Sequence, residues 1–261
     1  MPDIQLLHCS VDPDDISEFR IPVDGRHVKY LTIDAGLYAP DDMCFAPSLI
    51  TMLPPLPPGD WNEGHISRNL LDGQPSFAAV AKSQLPAITH IWHPRRINYL
   101  DLRWSRKLRS QVYEAISPDF SAPVVVKLAR FSHEIPMLDV ETRAYQWIDG
   151  QDIGPAFLGH VVEEDRVMGF AMERIADAQH AGVEHLGLCR QTLQRLHRLG
   201  IRHGDVNRHN FLVREGRATL LDFDCAERCE DAGRLDEELR SLEDELRETS
   251  GRGGVVVENS R

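Results

Sequence analysis

The sequence predicts an α+β fold with a strand-rich first half and a compact second half, behind an N-terminal extension. Three observations carry this. Ile201 leads into His203-Gly204-Asp205, and Asn210 follows five positions after the aspartate, ahead of the apolar Phe211-Leu212-Val213. A second apolar run, Leu220-Leu221, ends in Asp222-Phe223-Asp224. Upstream, Val124-Val125-Val126-Lys127-Leu128 sets one lysine in an otherwise apolar strand. Carbonyl-bearing side chains at strand ends lie where loops converge on a site, and a buried lysine is costly unless paired.

The bulk properties narrow the function. A chain of 261 residues has ample length to bury a core. Its net charge of −12 disfavours nucleic acid and anionic membrane as partners. No apolar run approaches the ~20 residues of a membrane span, and no basic-then-apolar leader opens the chain. The five cysteines, at 9, 44, 189, 225 and 229, form no Cys-x-x-Cys pair. They read as reduced thiols, which points to the cytoplasm and leaves the nucleus open.

Taken in order, residues 1–96 form the extension. They are rich in Pro, Asp and Gly, with short apolar runs such as 28–33 that suit strands. The prolines at 54, 55, 57 and 58 force an extended strap over 53–61. Trp61 is expected to anchor that strap on the domain that follows. From Ile97 the character changes. Residues 97–104 and 111–116 read as strands joined by a cationic loop over 105–110, and 124–129 as a third strand. A helix over 139–148 can pack Tyr145 and Ile148 while Glu141 points inward. Glu134 is the weaker alternative, because Pro136 should disrupt a helix there. Residues 157–175 read as a hairpin turning at 163–165. An amphipathic helix over 188–199 stops at Gly200. Leu235, Leu239, Leu242 and Leu246 mark a last helix, and the chain from 250 on reads as disordered.

The spacing Asp205-x-x-x-x-Asn210, followed by Asp222-Phe223-Asp224, resembles the catalytic loop and metal motif of the protein-kinase-like superfamily. Gly204 and Asp224 make it similar to the aminoglycoside-phosphotransferase and choline-kinase branch and to compact atypical kinases of the Bud32 or lipopolysaccharide-kinase sort. The whole chain is also similar to fungal kinase-like proteins. The resemblance implies a two-lobed protein-kinase-like fold with a compact C-terminal lobe: a small lobe at 97–176, a large lobe at 177–248 and a tail at 249–261. It implies ATP and Mg²⁺ as cofactors and transfer of the γ-phosphate to a hydroxyl, on a small molecule rather than a protein; a protein partner is left open. Lys127 would hold phosphates and be oriented by Glu141, and Asp205 would take the hydroxyl's proton. Asn210 and Asp222 would supply oxygen to Mg²⁺, with Asp224 at a second metal or solvated. The backbone around Glu173 and Ile175 would meet adenine. One departure stands out: Ser105, Lys107 and Ser110 occupy places where the family's phosphate loop has glycine. Arg106, Lys107 and Arg109 are the expected substitutes, meeting phosphate with side chains. The alternative is a pseudokinase that serves as a nucleotide-binding or protein scaffold.

Overall fold

A computed structural model describes residues 3–248, so the expected disordered tail lies outside the described residues. The chain clusters into two compact units, one of residues up to 86 together with 130–132, the other of 87–129 and the chain from 133 on.

The first unit is a five-stranded sheet ordered β1-β2-β3-β4-β5. Its strands are β1 (His8–Ser10), β2 (Ser17–Val23), β3 (His27–Ile33), β4 (Glu63–Arg68) and β5 (Pro75–Ala81). β3 and β4 pair in parallel, which requires a long crossover; α1 (Pro40–Cys44) and α2 (Ala46–Met52) lie in it. Phe19, Ile21, Leu31, Ile33, Leu49 and Ile66 form the core. Residues 53–60 carry neither helix nor strand, as the prolines dictate. Their anchor, however, sits in this unit. Trp61 packs in the first unit's core, with Phe77 edge-on at 5.6 Å and the Lys29 ammonium 3.7 Å above the ring. The indole finds its apolar partners and its cation locally, which corrects the expected docking on the following domain.

The second unit opens with a six-stranded sheet ordered β6-β10-β11-β9-β8-β7. Its strands are β6 (Arg96–Asn98), β7 (Arg103–Arg109), β8 (Val112–Ile116), β9 (Val124–Leu128), β10 (Phe157–Glu163) and β11 (Arg166–Glu173). The loop expected over 105–110 is strand instead. β7 and β8 pair from Arg103↔Ile116 to Arg109↔Val112, and Ser110-Gln111 turns the chain, with Gln111 at φ +65°. Charge made this stretch read as loop, but the exposed edge of a sheet accepts charge readily. Helix α3 (Ile135–Ile148) also starts earlier than expected. Pro136 lies in its first turn, where the missing N–H costs nothing. Pro136 therefore opens the helix rather than disrupting it.

The rest of the unit is built from β12 (Gln179–His180), α4 (Leu186–Arg198), β13 (Ile201–Arg202), β14 (Phe211–Arg214), β15 (Arg217–Leu220), β16 (Glu227–Arg228) and α5 (Ala232–Arg247). Gly200, at φ +66°, ends α4 as the sequence predicts. One core joins this part to the sheet: Leu138, Tyr145, Phe157, Phe170, Leu193, Phe211, Phe223 and Leu242 belong to a single buried cluster. No helix among the described residues is long and apolar enough to cross a membrane.

A mismatched side chain is buried beside that core. His160, on β10, is fully buried. Its Nε2 accepts from the His93 backbone N–H at 3.3 Å, while Nδ1 has no hydrogen-bond partner among the described residues. Burial, aided by Arg96, pushes its pKa down to about 4 from the ordinary 6.5. Below pH 6.5 the unfolded chain takes up a proton that the folded one refuses, so stability falls as pH drops from 6.5 toward 4. The loss should reach about 2–3 kcal/mol. Urea unfolding of wild type and His160→Gln at pH 7 and pH 4.5 measures it: the variant should lose about 2–3 kcal/mol less stability than wild type between the two.

Candidate active site

Lys127 is central to the site. β9 lies between β8 and β11, and Lys127 is buried there with its strand neighbours Val124 and Val126. Its Nζ sits 2.6 Å from Glu141 Oε2 and also bonds Asp222 Oδ1. Burial alone disfavours the ammonium, but the two carboxylates outweigh it and raise the Lys127 pKa. Burial likewise works against the Asp222 carboxylate, and Lys127 reverses the effect and lowers it. Glu141 differs. It is buried on α3, and desolvation carries its pKa up to about 7 against the pull of Lys127. Its Oε1 also accepts the Phe223 N–H at 3.3 Å, while Tyr145, one turn on, packs edge-on against Phe223 at 5.4 Å. Helix, strand and Asp222-Phe223 thus meet at one carboxylate.

The β14–β15 hairpin brings Asn210 and Asp222 together, since the Leu221 N–H bonds the Asn210 carbonyl at 2.8 Å. Asp222 has φ +64°, a left-handed backbone uncommon outside glycine and of the kind retained at functional sites. Asp205 is exposed at the loop surface. Its Oδ2 accepts from Asn210 Nδ2 at 3.0 Å and Asn207 Nδ2 at 3.2 Å. Asn210 Oδ1 is buried with no hydrogen-bond partner among the described residues.

Beneath the loop is a brace. His203 is fully buried, its Nε2 donates to the Leu221 carbonyl at 2.9 Å, and its Nδ1 accepts the Asp205 N–H at 3.3 Å. Burial lowers its pKa, which keeps this tautomer neutral. Glu238 of α5 accepts the His203 N–H at 3.1 Å and the Gly204 N–H at 2.7 Å. It also pairs with His197 at 2.8 Å. Gly204 has φ +86°, and a Cβ there would stand 2.5 Å from the Cys225 carbonyl oxygen. A side chain at 204 would collide with backbone, which accounts for glycine in this loop.

A cavity of about 510 Å³ lies between the sheet and the loops. Lys127, Glu141 and Asp222 line it, as do Arg106, Arg109, Glu173 and Ile175. Lys107 does not, nor do Asp205, Asn210 and Asp224. Asp205 faces a second hollow, beside Asn207 and Glu237. Asp224 is partly exposed and accepts the Cys225 thiol. Arg109 reaches across the cavity, where its Nη2 donates to the His209 carbonyl at 2.9 Å.

Sequence reasoning missed Asn207, Glu238 and the Arg174–Glu114 pair, at 2.6 Å beside the cavity. Only Glu238 left a trace: three residues after Leu235 and four before Leu242, it places an acid in an apolar stripe.

No curated protein matches the chain. Residues 177–252, which carry the braced loop, Asp222 and α5, match the model of the lipopolysaccharide kinase (Kdo/WaaP) family, so this part of the chain is similar to a kinase-type phosphotransferase of the protein-kinase-like superfamily.

Proposed function

We propose that the chain transfers the γ-phosphate of ATP, with Mg²⁺, to a hydroxyl, with a small-molecule acceptor favoured over a protein. The observation that carries this is Lys127 held between Glu141 and Asp222 on the wall of a nucleotide-sized cavity. Lys127 would bind phosphate oxygens while Glu141 keeps it aimed. Arg106 and Arg109 would add charge at the same wall, offsetting the absent glycine loop. The donor set suits Mg²⁺: Asp222 offers a carboxylate, and the buried Asn210 Oδ1 is left without a hydrogen bond. Both would hold the ion, which when bound would neutralise phosphate charge. In the transfer the acceptor oxygen bonds phosphorus, the bond to the ADP oxygen breaks, and the hydroxyl proton passes to Asp205. The matched family is described by a carbohydrate-bearing lipid, so sugar hydroxyls head the acceptors to try. The cytoplasm is the compartment this reading expects.

The scaffold reading draws on one feature. β7 and β8 form a tight glycine-free hairpin, and Arg109 is spent on the His209 carbonyl rather than free for phosphate. One experiment separates the two. Mg²⁺-dependent ATP binding and slow hydrolysis should appear in the wild type, and Asp222→Asn should lose about tenfold or more in turnover. A wild type that binds nothing at millimolar Mg–ATP would leave the scaffold.

A further inference from the structure

The segment that precedes the six-stranded sheet does more than connect. Residues 88–93 run along α3, and they touch it on the side away from the site. Successive helix residues turn by about 100°, so Asp139 and Glu141 point to nearly opposite sides. Glu141 faces Lys127. Asp139 faces the segment: its Oδ1 accepts the Thr89 N–H at 2.6 Å, the His90 N–H at 2.9 Å and the Thr89 hydroxyl at 3.0 Å. Its Oδ2 pairs with Arg143 at 3.1 Å. One turn along, Trp92 Nε1 donates to the Thr142 carbonyl at 3.0 Å. A further turn on, His90 Nε2 meets Gln146 Oε1 at 2.7 Å.

The segment is itself fixed at both ends. The Ile88 N–H bonds the Val167 carbonyl at 2.8 Å, and the His93 N–H bonds His160. Between them Trp92 packs on Phe157 at 4.8 Å. The inner face of the helix packs Leu138, Tyr145 and Ile148 into the core, and the strap holds its outer side. The Glu134 side chain does not cap its first N–H groups, and no acid occupies its first turn. A helix without caps is set by what packs on its sides, and here one side is this strap.

We propose that residues 88–93 are a clamp that sets the position of α3, with Asp139 and Trp92 as positioning residues that keep Glu141 on Lys127. The effect on nucleotide rests on the phosphotransferase reading; the effect on α3 does not. Removing the strap's grip lets α3 slide or turn, Glu141 leaves Lys127, and the lysine loses its aim at phosphate.

The test compares wild type, Asp139→Ala, Asp139→Asn and Trp92→Phe by amide exchange over α3, Mg–ATP affinity and melting temperature. Asp139→Ala should speed exchange over 138–148 and weaken Mg–ATP by about tenfold, with exchange in α4 and α5 unchanged. Asparagine keeps an oxygen for the same donors, so Asp139→Asn should stay within about threefold of wild type. Trp92→Phe keeps an aromatic ring of smaller size and drops the N–H, and should move both readouts in the same direction by less. A lower melting temperature in Asp139→Ala with affinity and α3 exchange unchanged would overturn the clamp, and so would an Asp139→Asn as damaged as the alanine variant. If the wild type itself has no affinity for Mg–ATP, the phosphotransferase reading fails, and exchange over α3 alone decides the clamp. Should Asp139→Ala not fold, Trp92→Phe and Asp139→Asn decide it on the same readouts.

Discussion

Asparagine in place of Asp205 is expected to slow phosphotransfer by about 10³-fold while Mg–ATP affinity stays within about threefold. The two readouts separate because Asp205 does not line the nucleotide cavity. Its carboxylate lies exposed on the loop, held at one oxygen by the Asn207 and Asn210 amides. The asparagine variant keeps the shape of that side chain, so the loop should stand. What it loses is the ability to take a proton from the attacking hydroxyl. Lys127→Ala should behave differently, because it leaves Glu141 and Asp222 facing one another without their shared cation. That change should weaken nucleotide binding as well as turnover. Steady-state kinetics and equilibrium binding on the same preparations measure both. Asp205→Asn retaining turnover within about tenfold would remove Asp205 from the chemistry.

The parts of this site that the sequence made legible are those written in a few neighbouring residues. A lysine within Val124-Val125-Val126-Lys127-Leu128, and acids closing apolar runs, announce themselves by local pattern. The structure brings Lys127, Glu141 and Asp222 together, partners 14 and 95 positions from the lysine. What escaped depends on context. β7 is a strand because β8 pairs with it, and no propensity in Arg106-Lys107-Leu108-Arg109 says so. Pro136 is a breaker or a first-turn residue depending only on where the helix starts. The N-terminal sheet needs β3 to meet β4 in parallel across 29 residues of intervening chain, a pairing that no local run encodes. Asn207 and Glu238 were hidden for a related reason. Their partners are backbone N–H groups or a carboxylate already assigned another duty, and such partners carry no sequence signature.

Glu238 gives the second large effect, and it falls on stability and turnover together. Its side chain is buried to within 4 %, and it accepts the His203 and Gly204 N–H groups besides pairing with His197. Alanine there would orphan two buried donors and strip His197 of its partner, which should cost about 3 kcal/mol. The same loss frees the backbone on either side of Gly204, one residue before Asp205, so turnover should fall by about a hundredfold. Glutamine keeps one acceptor oxygen and should recover much of the stability but less of the turnover. The acid limb of the stability profile supplies an independent check. Burial works against the Glu238 carboxylate, but His197 and the two N–H groups outweigh it and hold its pKa below the ordinary 4.5. A carboxylate with a depressed folded pKa stabilises fully above 4.5 and loses that contribution as pH falls through the folded value. Wild type should therefore lose stability below pH 4.5 more steeply than Glu238→Gln, in a window beneath the one set by His160. Urea unfolding across pH 3 to 5 resolves it. Equal slopes for the two proteins, with turnover unchanged in Glu238→Ala, would reduce Glu238 to a buried acid with no part in the loop and leave the loop's position to His203 alone.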